Sequence, residues 1–179
     1  MTRTARIVSA AACIALAVVL PLILHTVPNA GKIFLPMHLP VLLCGLVCGP
    51  LLGLACGAIS PAISYFVSGM PVAAALPGMI CELAVYGLVS GLLFKLLRRA
   101  PAAARVYGAL IGAMLCGRIV AGLVNGFIFQ SGKYTMQAWL AASFTTALPG
   151  IAIQLVVIPL VLFILHKAKV VDLTPARQG

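Results

Sequence analysis

Long apolar stretches alternate along this chain with short clusters of Lys, Arg, Pro and Gly. Uncharged runs of 25, 49 and 33 residues extend over Ile7–Gly31, Ile33–Cys81 and Tyr134–His166. A bilayer core about 30 Å thick takes roughly 20 apolar residues per helix, so these runs read as membrane spans and the longest holds more than one. Gly49-Pro50 is its best division, because proline removes a backbone donor and biases the preceding residue away from helix. Ser68-Gly69-Met70-Pro71 is the next turn, and Thr26–Leu35 reads as a loop. The pattern predicts an all-α polytopic membrane protein: one domain over 1–179, a six-transmembrane-helix bundle with helices near 7–24, 36–49, 51–67, 76–97, 106–129 and 137–165. The second is short for a span, which implies little tilt or a start inside a headgroup-level loop. Arg3 and Arg6 ahead of an apolar run also resemble a signal peptide, but Pro28-Asn29-Ala30 puts proline where cleavage needs a small residue. A retained first helix is expected.

Composition removes the soluble alternatives. The residues are 63% hydrophobic and only 8% charged, with a mean hydropathy of +1.20, whereas about a quarter of a soluble domain's residues carry charge. The net charge of +10 does not imply nucleic acid, because the cations are scattered among apolar spans. Their positions give orientation instead. With six spans, Arg3, Arg6, Lys95, Arg98, Arg99, Arg105, Lys167, Lys169 and Arg177 fall on the side of the termini, against Lys32 and Lys133 on the other. The positive-inside rule then predicts cytoplasmic N and C termini. Cutting the long run into one helix or three would scramble this asymmetry. Cys13, Cys44, Cys48, Cys56, Cys81 and Cys116 all lie in apolar segments without CxxC or zinc spacing and read as small fillers.

Two charges are left inside the spans, Glu82 and Arg118. An ionisable group in lipid is costly unless paired or facing water, so each is a candidate functional residue. Counted from the outer ends, Glu82 is roughly 9 Å deep and Arg118 roughly 16 Å at 1.5 Å per residue, a difference a long Arg side chain can cover. Two readings stand: a polar cavity open to the outer half of the membrane, or a buried Glu82–Arg118 pair locking two helices. The neighbours favour the cavity. Arg118, Gly122, Asn125 and Gly126 share one helical face, where glycine leaves room beside polar groups; Tyr86 stands one turn below Glu82; Ser143, Thr146 and Gly150 form a stripe on the last helix. Trp139, Tyr134 and Phe34 suit an interfacial aromatic belt, and His25 and His38 flank the first outer loop without partners at metal spacing. Gly45, Gly49, Gly53 and Gly57 recur every four residues, as Ala11 and Ala15 do, a spacing that lets helix backbones approach. Packing within the chain suffices for the glycines, whereas Ala11 and Ala15 also suit a subunit contact.

Catalytic chemistry is unsupported. Gly126–Lys133 has the wrong glycine spacing for a phosphate loop and Tyr134 where Ser or Thr is needed. A single intramembrane carboxylate makes no acidic dyad, and no serine has a His partner within the spans. No enzyme, metal or cofactor is expected.

The order of features resembles the substrate-binding S components of energy-coupling factor (ECF) vitamin transporters, in the group that includes the riboflavin-type S components. The likeness rests on Ala11-xxx-Ala15 with Leu20-Pro21, on the segment from Phe34 through Pro36, His38 and Pro40 to Val41 running into Gly45 and Gly49-Pro50, on Gly69-Met70-Pro71, on Glu82 to Gly87, on Gly117-Arg118-Ile119 and on Ala147 to Gly150. It implies a six-helix protein of a bacterial or archaeal cell membrane that captures a water-soluble vitamin or related micronutrient outside. Partners on this resemblance are membrane lipid, an ECF scaffold transmembrane subunit and two cytoplasmic ATPases, with Ala11 and Ala15 meeting the scaffold. It also puts the substrate among the first outer loop and the outer parts of helices four to six. The site expected is therefore Glu82, Arg118, Asn125, Tyr86, His38, Ser143 and Thr146. The rival function is a stand-alone secondary transporter of a small polar solute, coupled to protons through Glu82.

Overall fold

The computed structural model describes residues 1–24, 30–129 and 135–174. His25, the first four residues of the loop after the first helix, Lys133, Tyr134 and Arg177 lie outside the described residues. The described chain is helical throughout, in the order α1 (Arg3–Ile23), α2 (Ala30–Phe34), α3 (His38–Cys48), α4 (Pro50–Ser68), α5 (Leu76–Leu96), α6 (Ala102–Val124), α7 (Met136–Leu140) and α8 (Leu148–Lys167). α6 runs on into a π-helical turn at Asn125–Phe129, and a second π-helical turn at Ala141–Thr145 follows α7. Five helical stretches are long and apolar enough to cross a membrane, and α3 is a shorter apolar helix.

α1 starts on Thr2, whose hydroxyl accepts from the Ala5 N–H at 3.2 Å, satisfying one of the orphan donors of a helix N-terminus. It turns Ala10, Cys13, Ala17 and Val18 inward against α3 and α4, and leaves Ala11, Ala12, Ala15 and Leu16 exposed. α3 lies at the centre, packed by α1, α4, α5 and α8 and buried at eight of its 11 positions. It ends where Gly49 takes φ +99°, a left-handed conformation open to glycine, and Pro50 begins α4 at the position where a missing N–H costs nothing. Gly49 is thus a turn residue with nothing near its Cβ position, not part of the packing repeat its spacing implied.

The other three glycines of that repeat do pack. A Cβ on Gly53 would lie 2.3 Å from the Gly87 carbonyl oxygen, one on Gly57 2.1 Å from that of Leu83, and one on Gly87 2.0 Å from that of Gly53. Backbone therefore touches backbone along α3, α4 and α5, the close approach that small residues permit in lipid. Gly87→Leu is expected to abolish monodisperse protein in detergent, because rigid backbone rather than a flexible side chain blocks the added atoms. Wild-type yield and elution of that variant on size exclusion would refute the contact.

At the opposite end of the bundle from His38, Arg105 clamps the tail. Its Nε donates to the Phe94 carbonyl at 2.9 Å, its Nη1 to the Asp172 carbonyl at 3.0 Å, and its guanidinium stacks 3.9 Å from the Phe94 ring centroid. The Asp172 carboxylate accepts from the Thr174 hydroxyl and N–H, which holds its pKa below the ordinary aspartate value.

Candidate functional site

The site forms where α3 begins. Leu35 takes φ +50° and the chain turns into α3 with His38 as its first residue, 2% exposed. α5 brings Glu82 and Tyr86 to the same place one turn apart, and α6 brings Arg118. His38 Nε2 stands 3.8 Å from Glu82 Oε1, and its ring meets the Tyr86 ring edge-on, with centroids 5.3 Å apart at 69°. The fully buried Tyr86 accepts a hydrogen bond from Arg118 Nε at 3.0 Å. Glu82 keeps 22% of its side chain accessible while His38 keeps 3%, so the carboxylate lies at the edge of the cluster and the imidazole within it.

Small residues make this packing possible. A Cβ on Gly117 would fall 2.0 Å from the Tyr86 ring, so the phenol lies flat against bare α6 backbone. Gly122 does the same for Trp139, whose indole Nε1 donates to the Arg118 carbonyl at 3.1 Å. Phe144 completes the wall, edge-on to Trp139 with centroids 5.8 Å apart at 89° and 5.5 Å from the Arg118 guanidinium carbon, within reach of a cation–π attraction. Beyond Trp139 lies a cavity of about 430 Å³ lined by residues including Gly122, Gly126, Phe127 and Thr135.

Arg118 and Glu82 do not pair with each other. Each has another partner, Arg118 on Tyr86 and Glu82 on His38, so the reading of a direct Glu82–Arg118 pair does not hold. The reason is depth: Arg118 reaches α5 one turn below Glu82, at Tyr86, and α3 starts low enough to bring His38 to Glu82. Asn125 sits at the start of the π-helical turn with its amide against Gly78, where a Cβ would lie 2.3 Å from its Oδ1. Ser143 is half-buried and Thr146 exposed, while Gly150 is buried. The stripe expected through these three is not formed: Ser143 lies inside the π-helical turn at Ala141–Thr145, which shifts the helical phase, and Thr146 precedes the start of α8 at Leu148.

Buried hydrogen-bonding atoms without a partner gather at this end. Among the described residues they are His38 Nδ1, Ser64 Oγ, Asn125 Oδ1 and both amide atoms of Gln154. Each such group costs about 1–3 kcal/mol. Charge and small-residue spacing do not single out Gln154; a primary amide in mid-span is the signal the sequence offers for it. Among the described residues no three His, Cys, Asp or Glu side chains gather as a metal site.

The constellation is a polar cluster, with one acid and one guanidinium, set inside an apolar helical bundle. A family model described as "ECF transporter, substrate-specific component" matches residues 5–162, almost the whole chain. The chain belongs to this family. No curated protein and no solved structure matches it. As an ECF substrate-specific component it is a multi-pass membrane protein and a substrate-binding transporter subunit rather than an enzyme. The family implies a small-molecule substrate and association with ECF scaffold and ATPase modules.

Proposed function

We propose that this S component captures a water-soluble vitamin or related micronutrient on the outer side of a bacterial or archaeal cell membrane, in the cluster of His38, Glu82, Tyr86 and Arg118, for ATP-driven uptake by its partner subunits. The observation that carries the reading is the burial of this hydrogen-bonded cluster in an apolar bundle, where an ionisable residue without a functional partner is disfavoured. A pocket for a polar solute needs a few convergent polar groups in apolar surroundings, and Glu82, Arg118 and Asn125 supply an acceptor, a donor fork and an amide. Ser143 and Thr146 belong to the periphery of this reading, Ser143 half-buried and Thr146 exposed. The topology proposed with it has six crossings, α3 included, and cytoplasmic termini, which puts Lys95, Arg98, Arg99 and Arg105 in the cytoplasm under the positive-inside rule.

Ala11 and Ala15, exposed on α1, are the proposed contact with the scaffold subunit. The stand-alone proton-coupled carrier draws on the His38–Glu82 pair, which has the groups of a proton relay. One comparison separates the two. Purified protein in liposomes is expected to bind the small molecule identified by mass spectrometry of the detergent-solubilised preparation without accumulating it, and to accumulate it once the scaffold and ATPases are present. Uptake by the chain alone, driven by a proton gradient and lost in Glu82→Gln, would replace this function with the carrier.

A further inference from the structure

Gln154 is 1% exposed, and neither its amide oxygen nor its amide nitrogen has a hydrogen-bond partner. It stands on the buried stripe of α8, Gly150, Gln154, Ile158 and Leu162, which recurs every four residues, and α8 packs on α2, α3 and α6. The stripe begins against the chain that enters the site: a Cβ on Gly150 would lie 2.8 Å from the Ile33 carbonyl oxygen and 2.9 Å from that of Phe34. His38 comes four residues after Phe34, and Gln154 four after Gly150. Gln154 thus lies one helical turn along α8 from that contact, and His38 lies at the start of α3 just beyond the turn that follows it. His38 repeats the anomaly with its buried, unpartnered Nδ1, as does Asn125 with its Oδ1 at the neighbouring end of α6.

A bundle interior in lipid has no use for an idle amide. Leucine fills nearly the same volume, and a buried amide without a partner is a net loss to the fold. Such a group persists where something other than the chain satisfies it. A primary amide offers an acceptor and a donor side by side in one plane, the arrangement that lets glutamine grip the adjacent acceptor and donor of an adenine edge. A trans secondary amide in a substrate would engage only one of the two atoms, and a substrate carboxylate would accept from the amide nitrogen alone, leave the amide oxygen unpaired and suit Arg118 instead.

We propose that Gln154 is a substrate-reading residue, and that the substrate presents a ring edge with a hydrogen-bond donor and acceptor side by side, as a cyclic imide, a ureide or an aminopyrimidine does. The proposal rests on the reading of this cluster as the substrate pocket. His38 Nδ1, donor or acceptor by tautomer, and Asn125 Oδ1 offer further contacts to the same ring.

The test compares wild type with Gln154→Leu in detergent by thermal shift and binding titration. The probes are riboflavin, thiamine and biotin, which carry such an edge, and nicotinate and pantothenate, which do not. At least one of the first three is expected to raise the wild-type Tm, and Q154L to bind that compound at least tenfold more weakly. Without any probe, Q154L is expected to melt at or above the wild-type temperature, because an unpaired amide has been replaced by an apolar side chain. A purely structural glutamine gives the reverse, a lower probe-free Tm with unchanged affinity, and that result would overturn the proposal. So would a wild-type protein stabilised by nicotinate or pantothenate alone. A wild-type protein that responds to none of the five and releases no small molecule on denaturation fails the pocket itself, an outcome distinct from equal binding by Q154L.

Discussion

Replacing Arg118 with alanine is expected to abolish substrate binding while the protein still inserts and purifies as a monodisperse species. The side chain is 3% exposed, donates to Tyr86 and lies against Phe144, so its removal acts twice. The substrate loses its one guanidinium fork, and the Tyr86 hydroxyl loses its donor in a dry site. Losing a hydrogen bond that involves a charged group costs about 1.5–3 kcal/mol, which at about 1.4 kcal/mol per decade is roughly a 10- to 150-fold loss of affinity. The measurement is retention of the small molecule that co-purifies with wild type, quantified by mass spectrometry, beside size exclusion as the check on folding. Insertion should survive because the contacts that assemble the bundle, Gly53 and Gly57 on Leu83 and Gly87, lie elsewhere. Wild-type retention in R118A would remove Arg118 from the site.

Ala11→Trp is expected to leave binding intact and stop uptake. α1 turns Ala10, Cys13 and Ala17 to the bundle and displays Ala11 and Ala15 on the other side, among Val8, Leu16 and Val19, which are 63%, 48% and 47% exposed. Small residues on an outward face let a second helix approach closely, and an indole there holds it off without touching the pocket. The assay is accumulation of the same small molecule in proteoliposomes carrying the scaffold and ATPases, with binding by the isolated chain as the control. Unchanged uptake would take α1 out of the interface.

Particular residues show what could be read in advance. Gly49-Pro50 marked a break because both residues restrict the backbone itself, whatever surrounds them. Glu82 and Arg118 stood out because lipid makes charge expensive, and Tyr86 followed by helical spacing from Glu82. Their partners were not legible, since pairing depends on how far each helix start is set into the bundle. His38 illustrates this: its place beside Glu82 follows from α3 beginning level with the second turn of α5, rather than in a headgroup-level loop. The π-helical turns at Asn125–Phe129 and Ala141–Thr145 were also invisible, because in a span that is apolar on every face an inserted residue leaves the hydropathy pattern unchanged. The second of them holds Ser143, and Thr146 follows it ahead of α8, which carries Gly150. Gln154 needed only its burial to be known, which no single-chain pattern reports.

The brevity of α3 sets a distance. Its 11 residues span about 16 Å at 1.5 Å per residue, roughly half of a 30 Å hydrocarbon layer. If Cys48 and Gly49 lie at the inner boundary, His38 stands about 14 Å below the outer one, near the midplane. Under the function proposed above, a solute resting on His38 has then already travelled close to half the thickness of the membrane by diffusion alone, before any nucleotide is spent. What remains for the energised step is the slightly longer half of the route, about 16 Å, closed from below by the packed backbones of Gly45, Gly53 and Gly87.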